Sequence, residues 1–259
     1  DERALAVQLD HLAVLAERDD PHAHPRSHLA AGGELRIGNT NGRIDVEGAD
    51  GNTVEVRAER IAKATTDTAA GELLPRIKIA EDATPDRVVI ETERMGGIMI
   101  GASVEVRYHV RAPKSATLSL RNTNGPITLT ALTGRVTAHT TNGGVRGTDL
   151  SGGVDASTTN GGVTVDFASI GRERVQLSTT NGGVVVGLPG DAKADVVAVC
   201  TNGGISVSGV KMEMVEQSRR RVEGRMNGGG ASIELKTING GIRIRPRGEG
   251  APIERDHTE

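Results

Sequence analysis

Four carboxylates lie close together along the middle of the chain, Asp149, Asp155, Asp166 and Glu173. Two carboxyl groups at a fixed separation are what glycoside cleavage requires, one as acid and the other as nucleophile or base. None of the four recurs in register, however, and the sequence holds one Phe, one Tyr and no Trp, so the aromatic surface that usually stacks on sugars is missing. His22, His24 and His28 have a spacing that could bring two or three imidazoles to a metal. Without a cysteine or a clear acidic partner beside them, the Pro- and His-rich segment reads as a flexible linker, and no metal or cofactor is expected. Cys200 is the sole cysteine and excludes an internal disulfide. No Gly-x-Ser-x-Gly elbow, phosphate loop, Cys-x-x-Cys, His-Glu-x-x-His or calcium loop occurs, and no catalytic residue is nominated.

What does recur is a pair that shapes the backbone. Asn41, Asn124, Asn142, Asn160, Asn181, Asn202 and Asn239 are each followed by glycine. Six and four residues before the Asn stand apolar residues, from Leu35/Ile37 through Val175/Leu177 to Ile233/Leu235, and three and five after it stand pairs such as Ile44/Val46 and Val163/Val165. The second set has one exception, Gly147. A spacing of two puts these side chains on one face of an extended strand, and Asn-Gly tolerates positive φ, so each copy reads as strand, corner, strand. From Asn124 the motif returns after 18, 18, 21 and 21 residues. A fixed period with matching columns marks a stacked array in which neighbouring units complete one another's core. A meander of Asn-Gly hairpins is the competing reading; the identity of the columns favours the array. These seven Asn are therefore expected to form a structural ladder. Cys200 falls in the column of Thr140, Thr158, Thr179 and Thr237 and is expected to face inward as a small apolar group.

A threonine precedes most of the Asn, at Thr40, Thr123, Thr141, Thr159, Thr180 and Thr201, with Ile238 in the last copy. Stacking along the corner explains such a column; a flat hydroxyl array facing an ordered lattice such as a glycan fibre is the alternative.

The segment Gly33-Glu-Leu-Arg-Ile-Gly-Asn-Thr-Asn-Gly-Arg-Ile-Asp-Val-Glu-Gly, then Asp50-Gly51-Asn52 before Val54-Glu-Val-Arg, Val104-Glu-Val-Arg-Tyr-His-Val-Arg-Ala-Pro113 and the Thr-Asn-Gly-Gly series resemble the bacterial putative-adhesin domains of unknown function built from β-strand repeats. The likeness spans about residues 30 to 247. Ala49, where an aromatic often precedes the Asp-Gly, and the distorted copy Met226-Asn227-Gly228-Gly229-Gly230 depart from the pattern. The resemblance implies a β-solenoid-like fold on an exported or membrane-anchored envelope protein without established catalysis.

A net charge of −3 argues against nucleic-acid binding, and the one basic run, Arg219-Arg220-Arg221, reads as a solvated loop or short helix within 211–225. No run of 18 apolar residues occurs, so no transmembrane segment is expected. The expectation is thus an all-β, elongated β-solenoid, β-helix-like, of stacked Asn-Gly repeats with a short N-terminal helix. Residues 1–30 would carry an amphipathic helix over 2–18 and the linker, 31–247 the solenoid with a loop at 65–71, and 248–259 a polar tail. The expected role is a noncatalytic extracellular or cell-envelope structural or adhesin-like module, whose partners are cell-surface components or itself, end to end or through the helix. A filament subunit joined through solenoid ends and a carbohydrate-active β-helix enzyme, with acids from residues 60 to 115, remain the alternatives.

Overall fold

The computed structural model describes residues 7–9, 12–18, 26–93 and 101–248. Two long sheets face each other, and nearly every turn of the chain contributes one strand to each. The leading sheet holds the strand before each Asn-Gly corner: Glu34–Asn41, Thr117–Asn124, Val136–Asn142, Val154–Asn160, Val175–Asn181, Ala194–Asn202 and Ala231–Asn239. The trailing sheet holds the strand after it: Ile44–Ala49, Ile127–Thr130, Val145–Leu150, Val163–Phe167, Val184–Leu188, Ile205–Val207 and Ile242–Pro246. Rungs stack parallel and in register, with Leu118 beside Val136, then Val154, then Val175. The protein is an all-β solenoid.

Alternation follows from the pleat. Inward residues such as Leu35, Ile37, Leu120, Val163, Val186, Leu235 and Ile244 are fully buried, while those between them face out. The interior is thin, so β-branched residues, Leu and Ala fill it, and both aromatics, Tyr108 and Phe167, are inside it at 0% exposure. Gly147 in an apolar column is filled by a neighbour: a Cβ there would lie 2.7 Å from Leu150 Cδ1.

Rung order in space differs from order in sequence at both ends. Arg87–Thr92 and Ser103–Pro113 pair parallel with the 34–49 rung and lie outside it. At the other end the last rung, 231–246, sits between the 175–188 rung and the 194–207 rung. Three of the four sheet ends then finish antiparallel; the fourth is the trailing sheet's short parallel edge strand Ile205–Val207. Ile79–Thr84 pairs with Arg87–Thr92, Thr53–Ala64 pairs with Ser103–Pro113, and Arg221–Met226 pairs with Ala194–Asn202.

The helix expected over residues 2–18 is not there; Val7–Leu9 and Leu12–Arg18 are strands, the second paired with Thr53–Ala64. Leu5, Leu9, Leu12, Ala13 and Ala16 fit helical spacing, but Val7/Leu9 and Leu12/Val14/Ala16 also alternate, and the open edge of a 12-residue strand decides between them. The one α-helix among the described residues is Asp67–Leu73, where a loop was expected, and a 3-10 turn over Leu74–Arg76 follows it. Thr66 caps it, its Oγ1 accepting from the Ala69 N–H at 3.2 Å, and Pro75 lies just past its end. Ala70 and Leu73 pack on Ala62 and Ala64, covering the trailing sheet where the leading sheet has already ended. The 211–225 excursion is likewise a correction: it is a hairpin of Glu213–Gln217 and Arg221–Met226, not a loop or helix. No helix among the described residues is long and apolar enough to cross a membrane.

Candidate functional site

The corners bring all seven repeated Asn side chains into one line. Each amide Nδ2–H donates to the Oδ1 of the Asn on the adjoining rung: Asn124 to Asn41 and Asn142 to Asn124 at 2.7 Å, Asn160 to Asn142, Asn181 to Asn160 and Asn239 to Asn181 at 2.8 Å, and Asn202 to Asn239 at 2.9 Å. Asn41 closes the row by donating to the Val104 carbonyl at 3.2 Å. All the amides point the same way, so each bond polarises the next.

Behind this line runs a buried one. Thr140, Thr158, Thr179 and Thr237 donate to the carbonyls of Gly125, Gly143, Gly161 and Gly182 on neighbouring rungs, at 2.7 to 3.0 Å. Cys200 takes the same place, 2% exposed, with its thiol donating to the Gly240 carbonyl at 3.1 Å. Asn39 and Asn122 begin the column, donating to Val106 and Gly42 carbonyls. Asn39 also accepts from Thr92 Oγ1 at 3.0 Å, which uses that hydroxyl's only proton, so the Tyr108 O–H is the donor in its 2.7 Å contact with Thr92.

Outside the corners, two grooves carry charge, and they differ in whether their acidic side chains are already paired. On the trailing sheet a groove of about 470 Å³ holds Asp45 and Glu47. Their partners are across the rung, His109 Nδ1 at 3.3 Å from Asp45 and Arg111 at 3.9 Å from Glu47. On the leading sheet a groove of about 830 Å³ runs beside Gly38, under Glu91 and Glu93, and along Arg121, His139, Thr40, Thr123 and Thr141. Gly38 stands in the row between Glu91 and Arg121, and the Glu91 side chain leans over it, its Cγ 3.5 Å from where a Cβ would be. His139 Nδ1 and Ser157 Oγ are 2.5 Å apart. Among the described residues no hydrogen bond or ion pair engages the side chains of Glu91, Glu93 or Arg121. Unpaired charges in a concave polar surface are available to a ligand, whereas paired ones must first be separated.

The four acids singled out in the sequence are not gathered there. Asp166 bonds Arg245 at 2.8 Å, Asp149 bonds Arg247, and Glu173 accepts from the Gly153 N–H at 2.6 Å; Asp155 lies half-buried in the leading sheet. Three of them hold backbone or rungs in place. His22 and His24 lie outside the described residues, and His28 ends the strand Arg26–His28. The groove residues Glu91, Glu93 and Arg121 were missed, because the two acids stand in one rung and Arg121 in another, and only stacking makes them neighbours. The glycine at position 38, where later rungs carry Arg121, His139 and Ser157, was the available signal.

Ion pairs give the stack a pH response. Arg174 first, then Lys236, hold the Glu234 carboxyl below its ordinary 4.5, and Arg225 first, then the Gly230 N–H, hold Asp195 below 3.8. A depressed carboxyl contributes stability that is fully present above its unfolded value and is lost as pH falls through the folded one. The urea midpoint is therefore expected to stay level down to about pH 5 and to fall below about pH 4, with a shallower fall in Glu234→Gln.

These features define a two-sheet β-solenoid with a polar, incompletely paired groove on one face. The Toastrack DUF4097 family model matches residues 109–245, more than half of the chain, and the protein belongs to this family. A solved structure described as a putative cell adhesion protein from Clostridium sporogenes ATCC 15579 is similar over 90% of this chain and 100% of its own, with TM-score 0.50 and 10% identity. At that identity the likeness concerns the fold. A putative adhesin from Bacteroides fragilis NCTC 9343 aligns over 90% of this chain and 96% of its own at 8% identity, with TM-score 0.27. No curated protein matches in sequence.

Proposed function

We propose that this chain is a noncatalytic, adhesin-like recognition module of the cell envelope or the extracellular space, and that it meets its partner through the outer face of the leading sheet. The observation that carries the proposal is the 830 Å³ groove in which Arg121, Glu91 and Glu93 are uncommitted beside the Thr40, Thr123 and Thr141 hydroxyls. Tyr108 and Phe167 are both in the core, so recognition rests on hydrogen bonds and charge instead of stacking. A hydrophilic, charge-bearing cell-surface polysaccharide fits that chemistry, and the adhesion names given to proteins of similar fold agree with it.

Glu91 and Glu93 are open to solvent. No aromatic side chain is available to stack a sugar beside them, since Tyr108 and Phe167 are both in the core. The filament reading is disfavoured by the antiparallel strands and the Asp67–Leu73 helix that finish three of the sheet ends and by the three-residue length of the strand at the fourth, Ile205–Val207, since natural sheets blunt their edges by such means.

The test is titration of purified cell-surface polysaccharides by calorimetry. Arg121→Glu is expected to weaken binding at least tenfold, about 1.4 kcal/mol, with an unchanged melting temperature, while Arg111→Glu in the other groove leaves affinity as it was. Wild-type affinity in Arg121→Glu sinks the proposal. So does polysaccharide cleavage abolished by Glu91→Gln.

A further inference from the structure

The 231–246 rung occupies a place that the sequence offers to another. The 194–207 rung follows 175–188 at the same 21-residue interval that separates Asn160 from Asn181, and its apolar columns match, Val196 and Ala198 to Val175 and Leu177. It also exists before 231–246 during synthesis. Yet in the folded chain Val175 pairs with Ile233, and Val196 pairs with the other side of Ile233.

Exchanging the two rungs would leave the leading sheet equally well paired and would cost the trailing sheet two positions, since Ile205–Val207 offers three residues where Ile242–Pro246 offers five. Arg221–Met226, which now lies antiparallel to Ala194–Asn202, would instead meet Ala231–Asn239 as an ordinary hairpin across the 227–230 turn. The leading-sheet ladder and the core pattern do not distinguish the two orders, so beyond the longer trailing strand the choice falls to side chains. Three contacts exist only in the observed order. Arg174 bonds Glu234 at 2.7 Å. Arg245 reaches over Gly187, its neighbour in the ladder, to Asp166 on the next rung at 2.8 Å. Arg247 bonds Asp149 two rungs beyond Gly187. A side chain at Gly187 would block the middle one, since its Cβ would lie 1.9 Å from Asp166 Oδ1. The return turn is fastened too: Asn227, at φ 49°, donates to the Gly190 and Ala192 carbonyls at 3.0 and 2.8 Å.

We propose that the terminal rung is threaded into a stack that first closes without it, and that the Asp166–Gly187–Arg245 bridge selects the inserted order over a sequential one. The distorted Met226-Asn227-Gly228-Gly229-Gly230 copy is then the hinge on which residues 231–247 swing in. This conformational device is independent of the recognition role proposed above.

Disulfide trapping tests it in the full-length Cys200→Ser chain. Ser178, Lys236 and Val199 stand in one outward row, in that order. Adjacent strands are about 4.8 Å apart, within disulfide reach, and alternate ones about twice that, beyond it. Ser178→Cys with Lys236→Cys should cross-link in the folded state, and Ser178→Cys with Val199→Cys should not. During refolding the 178–199 pair is expected to cross-link early, at least tenfold above a control pair two rungs apart, His139→Cys with Ser178→Cys. Adding Asp166→Asn and Arg245→Gln should make the 178–199 bond persist at equilibrium. Should that variant fail to fold, the refolding experiment on the parent chain still decides. A 178–199 yield that never exceeds the 139–178 control overturns the proposal, as does a folded parent in which 178–236 fails to form.

Discussion

Gly161→Ala is expected to destabilise the protein by at least about 3 kcal/mol and to leave much of it unfolded at 37 °C. Two costs coincide there. Gly161 has φ +150°, and a Cβ on it would lie 2.1 Å from the Gly143 carbonyl oxygen. That oxygen cannot move aside, because it accepts from Thr158 and is part of a neighbouring rung. The strain therefore passes to the stack instead of being absorbed by a side chain. Gly190→Ala is the control: nothing lies within 4 Å of its added Cβ, and a change within about 1 kcal/mol is expected. Urea unfolding of the two variants measures the difference. Equal midpoints would mean that the corners are not packed rung on rung.

Arg245→Ala is expected to cost about 2 kcal/mol, because it removes a buried side chain and leaves the half-buried Asp166 carboxylate without its partner. The Arg245 side chain is 6% exposed and that of Asp166 20%. The bridge is also incomplete, since Arg245 Nε and Asp166 Oδ1 have no hydrogen-bond partner. A partly satisfied buried pair contributes more to choosing a structure than to stabilising it. The double variant Asp166→Leu with Arg245→Met is accordingly expected to recover most of the loss, within about 1 kcal/mol of the parent. A double variant as unstable as Arg245→Ala would show that the bridge contributes stability in its own right.

Much of this architecture was legible from spacing alone, for a physical reason. A residue such as Val163 has its rung neighbours fixed by period, so the columns that stack are the columns that align in the sequence. Cys200 could be placed inward for the same reason. The ends were not legible. There a strand's partner is chosen by which edge is open, as with Leu12–Arg18 on Thr53–Ala64, and helical and extended patterns of Leu and Ala overlap. The helix at Asp67–Leu73 carried its own signal, Thr66 ahead of Asp67, Ala69 and Ala70, which a search for strands passes over. The order of the last two rungs was hidden because both fit the same columns, and the contacts of Arg245, Glu234 and Arg247 tell them apart only once the chain is folded. The groove was hidden differently: Arg121 and His139 share a column of the repeat, but Glu91 lies outside the repeat and is joined to them only by stacking.

The placement of the last rung can be read most directly from side-chain amide contacts in a sample labelled at asparagine nitrogen. Asn239 amide protons are predicted to show nuclear Overhauser contacts to the rungs of both Asn181 and Asn202, with none between Asn181 and Asn202 themselves. A direct contact between the Asn181 and Asn202 side chains in the native protein, with Asn239 beside only one of them, would contradict the threaded stack.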